Sequence, residues 1–81
     1  MINWILTKLV KRLDTDINEY RRKRKGELQC ACTFAELGAG YIEDREHHEQ
    51  NAAAYRANIE WCVKWHNRMA RRVGIPTIMA W

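Results

Sequence analysis

Cys62 and His66 stand four residues apart in the stretch "WCVKWH", between Trp61 and Trp65. On a helix, two such side chains share a face and can chelate one ion. With Cys30 and Cys32 they make four ligands of a kind zinc accepts. A cysteine beside a histidine is also the start of a nucleophile–base couple. The segment "EDREHHE" sets Asp44 three residues before His47 and four before His48, an offset used in helix-bundle di-metal sites. Each chemistry needs more than its spacing. Zinc modules use C-x-x-C pairs rather than C-x-C. A di-metal site needs further inward carboxylates, and an N-terminal helix offers only Asp14, Asp16 and Glu19. Catalysis needs a group that orients His66 and a donor for the developing charge. Serine is absent, which removes serine-nucleophile chemistry. The expectation is therefore no enzyme activity, no metal and no cofactor, with these residues filling helical faces.

The elements that must position them follow from periodicity. Ile2, Leu6, Leu9, Leu13, Ile17 and Tyr20 recur at steps of three and four, widened by Ile5 and Val10, which predicts a helix over about 2–25. The run "RRKRK" at 21–25 then suits the negative end of the helix dipole, and Gly26 is the expected stop. Residues 27–32 read as a connection. Thr33 with Glu36 forms a capping-box pattern that opens a long helix over about 34–73. In it, Ala52, Tyr55, Ile59, Cys62, His66, Met69 and Val73 make an unbroken heptad seam. The register extends back through His48, Arg45, Tyr41, Gly38 and Phe34. Gly74 falls where a left-handed cap is expected, Pro76 forbids resumption, and the apolar tail "IPTIMAW" should dock. The fold class is all-α: a single helical domain over 1–81, an antiparallel helical hairpin with a docked C-terminal tail.

These boundaries leave part of the seam bare. A tight hairpin sets Asp14 near Arg45 and Ile2 opposite residue 57, so Ile59 to Val73 lack a partner on the first helix. No helix breaker occurs in 44–51 to fold the long helix back. The seam residues Tyr55, Ile59, Cys62, His66, Met69 and Val73 are thus expected to form a coiled-coil-like interface in a homodimer or higher oligomer. His66 there would make association pH-dependent.

Of the 81 residues, 47% are hydrophobic and 30% charged, a globular balance with a formal net charge of +4. The charge is segregated: residues 1–26 sum to +5, 27–55 to −5 and 56–81 to +4. An acidic middle between basic ends can satisfy itself by folding back. An odd number of cysteines without a disulfide framework points to a reducing, cytoplasmic setting. The apolar start is interrupted at Lys8 and reads as neither signal peptide nor span, and no stable membrane association is expected. Trp61, Trp65, Arg68 and Arg72 flank the seam and are the residue types that anchor interfaces. The expected function is a non-enzymatic protein-interaction module of accessory, inhibitor or adaptor type. In general character it resembles small helical proteins of phages and mobile elements, without a family motif. One alternative is nucleic-acid binding through Arg21, Arg22, Lys23, Arg24 and Lys25 with the basic cluster at 68–72. Another is an oligomer holding a small anionic ligand, such as a nucleotide, between subunits.

Overall fold

In the computed structural model, which describes residues 2–80, the chain forms two long helices. Helix α1 spans Ile2–Leu37 and α2 spans Ile42–Val73, with a single 3-10 turn at Ala39–Tyr41 between them. There is no strand among the described residues, and the class is all-α. Thirty-six helical residues reach about 54 Å, and the molecule measures 57 × 14 × 14 Å.

The first helix does not stop at Gly26. That glycine lies inside α1, where an added Cβ would meet nothing within 4 Å. Its helix penalty is about 1 kcal/mol, small beside the packing of the eleven residues that follow it. Residues 27–32 are helical, and Thr33 opens no helix: its hydroxyl donates back to the Gln29 carbonyl at 3.0 Å, a mid-helix use of threonine. The reversal comes at Gly38, with φ 107° and ψ −171°, a conformation strained for any L side chain. The Tyr41 N–H closes the turn on the Gly38 carbonyl at 3.2 Å. At the far end Gly74 is left-handed at φ 74°, and the Ile75 N–H bonds the Ala70 carbonyl at 3.0 Å.

The longer α1 changes every pairing. Tyr20 meets Tyr55, Glu27 meets His48, and Phe34 stacks on His48. Asp14 lies in a cleft with His66, not near Arg45. The α2 seam is therefore covered within one chain. Ile17, Ile59, Cys62 and Val63 form the core, with Leu13, Tyr20, Ile78 and Ala80 packed against it. On α1 Val10 is buried and Leu9 is 43% exposed, so the inward position is Val10 rather than Leu9. Helix α2 is continuous through 44–51. With Tyr20 against Tyr55, residues 2–20 lie along 55–73, the cation run at 21–25 falls level with the residues just before Tyr55, and the acidic segment beyond it folds on itself through Glu27 and His48.

The tail runs back along the hairpin. Asn67 holds Ile78 by a reciprocal pair: its Nδ2 donates to the Ile78 carbonyl at 2.8 Å, and its Oδ1 accepts the Ile78 N–H at 2.9 Å. Arg21 reaches the carbonyls of Met79 and Ala80. Trp81, the last residue of that tail, lies outside the described residues.

Candidate functional site

Two packed helices leave a groove on each side of their line of contact. Here the two grooves differ. One is filled by the tail, whose Ile78 and Ala80 sit on the core. Beside the tail a cleft remains, lined by Val10, Lys11, Asp14, His66, Ile75, Pro76 and Ile78. His66 is 2% exposed, and its Nδ1 lies 3.1 Å from the Asn67 Oδ1 that also accepts the Ile78 N–H. The imidazole thus steadies the amide that holds the tail. Neither Asn67 nor Arg21 was legible in this role, since their partners lie eleven and fifty-eight or fifty-nine positions away.

The other groove is open. Leu9 and Leu13 of α1 face Trp61, Trp65 and Met69 of α2 across a cavity of about 370 Å³, with Arg12 and Asp16 on its rim. It continues into a second cavity of about 260 Å³ between Leu6, Trp65, Met69, Arg68 and Arg72. Trp61 is 60% and Trp65 37% exposed. Their rings are 6.1 Å apart, and the Arg68 guanidinium lies 5.4 Å from the Trp65 ring. The Trp61–Trp65 spacing places both rings on one flank of α2. The opposite wall comes from α1 residues four apart that the seam turns slightly outward. Leu9, Leu13, Arg12 and Asp16 do not stand out in the sequence as a site, because their facing depends on how far α1 extends.

The candidate metal ligands do not converge among the described residues. Ile59, Cys62 and His66 are buried against α1 and the tail, so the expected oligomer seam of Tyr55, Ile59, Cys62, His66, Met69 and Val73 loses its premise of bareness. Tyr55 and Val73 are half-buried, and Met69 turns into the open groove. Burial pushes the Cys62 thiol above its ordinary 9.0, and the Asp16 carboxylate adds to the shift, so this thiol is a poor nucleophile. Cys30 and Cys32 are exposed on α1. Cys62 packs beside Ile17, which puts it about 20 Å along the helix from Cys30, too far for one metal site. Among the described residues no three of His, Cys, Asp and Glu converge to hold a metal ion. Nor is any described helix long and apolar enough to cross a membrane.

The cation run at 21–25 is a ring rather than a face, since consecutive helical residues point about 100° apart. Arg21 holds the tail, Lys23 lies 3.3 Å from Glu19, Arg24 is half-buried, and Arg22 and Lys25 are exposed. The cations at 68–72 are Arg68, Arg71 and Arg72, of which Arg68 and Arg72 line the open groove. No known protein family matches the chain, and no curated protein or solved structure does either.

Proposed function

We propose that the protein is a non-enzymatic helical module that binds a partner protein in the open groove. The observation that carries this reading is the exposure of Trp61 and Trp65 over a cavity walled by Leu9, Leu13 and Met69. Tryptophan rings half in solvent beside apolar walls and arginines have the composition of an interface hot spot. The reading keeps the expected contacts Trp61, Trp65, Arg68 and Arg72 and adds the α1 wall. It needs no second copy, because the hairpin covers its own seam.

The test is direct. A partner captured from the native cells is purified and titrated against the wild type and the Trp61→Ala and Trp65→Ala variants, each checked for unchanged helicity. Affinity should fall at least tenfold in the variants. An affinity that the variants leave untouched rejects the groove. The nucleic-acid alternative draws on Arg68 and Arg72 beside Trp65. Steeply salt-dependent binding to single-stranded DNA, lost in Arg68→Gln, would favour it instead.

A further inference from the structure

We infer that the occupant of the open groove is an acidic amphipathic helix of about three turns, laid along the hairpin axis to complete a three-helix arrangement. This rests on the reading of the groove as a protein-binding site and assigns the partner's chemistry.

Three observations converge. The first is shape. The cavities share Trp65 and Met69, so they form one trough that runs on α1 from Leu6 to Asp16. Ten residues of helix are about 15 Å long, the length of roughly three turns of a docked helix. Both walls are helices, and a helix is the element whose ridge fits such a trough.

The second is charge. Arg12, Arg68 and Arg72 line the trough against a single acid, Asp16. The α2 side agrees, because residues 56–73 sum to +4, whereas residues 2–20 of α1 sum to zero. A docked helix with glutamates beside its apolar stripe would pair with these cations. A second copy docking by the same trough would bring its own Arg12, Arg68 and Arg72 against them.

The third is the contrast with the tail groove. There the occupant is an extended, largely apolar segment held through its backbone by Asn67 and Arg21. The open trough offers no such amide clamp. Its polar groups are guanidiniums and one carboxylate on the rim, which suit charged side chains rather than a bare backbone. Its concavity also argues against a flat lipid surface.

The probe is a pair of synthetic 14-residue amphipathic peptides with leucines at i, i+3, i+4 and i+7. One is flanked by glutamates and its twin by lysines. Each is titrated calorimetrically into the full chain at about physiological ionic strength. The glutamate peptide should bind at least tenfold tighter than the lysine twin. The Arg68→Glu/Arg72→Glu double variant should reverse that preference. Arg12→Gln, on the other helix, should weaken only the glutamate peptide, which keeps the test open if the double variant fails to fold. Equal binding of the twins overturns the acidic partner and leaves the groove as a protein site. Binding of neither overturns both readings. Two further results overturn the inference: a solution mass of two chains that Trp65→Ala returns to one, and Trp65-dependent binding to vesicles of phosphatidylglycerol with no binding of the glutamate peptide.

Discussion

The two ends of the hairpin share one seven-residue repeat and fill it differently. Toward the termini the seam holds Val10, Leu13 and Ile17 against Ile59, Cys62 and Val63, and Ile17 and Ile59 are fully buried. Toward the turn it holds Arg24, Glu27, Ala31 and Phe34 against Arg45, His48 and Ala52, where only the two alanines are buried. There a His48–Glu27 contact crosses between the helices, and Phe34 stacks on His48 with centroids 5.5 Å apart and planes at 10°. The terminal half is held by burial, which is strong and indifferent to register. The turn half is held by small residues and by directed polar contacts such as those of Glu27 with His48 and Asn51, which are weak and register-specific. A two-helix chain with a thin core thus divides stability and alignment between its ends.

This division can be broken most easily at the terminal half. Ile17→Ala or Ile59→Ala should each cost roughly 2–5 kcal/mol, read by urea titration of the helical circular dichroism. Phe34→Ala in the turn half should cost less, and equal losses would dissolve the contrast. The next effect is at the reversal. Gly38→Ala forces a side chain into φ 107°, and a loss of about 1–3 kcal/mol is expected. A smaller change of opposite sign is expected at Gly26→Ala, which should stabilise by about 0.5–1 kcal/mol. Destabilisation there would restore a helix stop at Gly26.

The smallest effect concerns acid. The hydrogen bond from His48 holds the Glu27 carboxyl below its ordinary 4.5, with burial opposing and Asn51 assisting. A depressed folded value means that the stabilisation is complete above about pH 4.5 and is lost as pH falls through the folded value. The melting temperature of the wild type should therefore drop more between pH 5 and 3 than that of Glu27→Gln. Parallel profiles would remove the pair from the account.

The α2 seam and its end at Gly74 are readable from residue types alone, because seven positions keep step and a glycine precedes a proline. The end of α1 is not. Its register continues without a fault through Arg24, Glu27, Ala31 and Phe34, but two of those four are charged, so a hydrophobic count loses the thread. A basic run followed by glycine then imitates a helix end. That single boundary governs the rest: a short α1 leaves Ile59 to Val73 bare and invites a second chain, whereas the full α1 and the tail bury Ile59, Cys62 and His66. Trp61 and Trp65 are legible as flank residues from α2 alone. The wall opposite them becomes visible only when both helices have their lengths.

Placing the apolar core at the termini also sets the order of assembly. The contact between Phe34 and His48 encloses 13 residues and that between Ile17 and Ile59 encloses 41. Closing the larger loop costs about 1 kcal/mol more, and it is the closure that gains most. Folding from the turn outward would form its weakest contacts first, so the rate-limiting ensemble should already contain the distant core. Stopped-flow measurements should then find that Ile59→Val slows refolding, while Phe34→Leu mainly speeds unfolding. The reverse would place the nucleus at the turn.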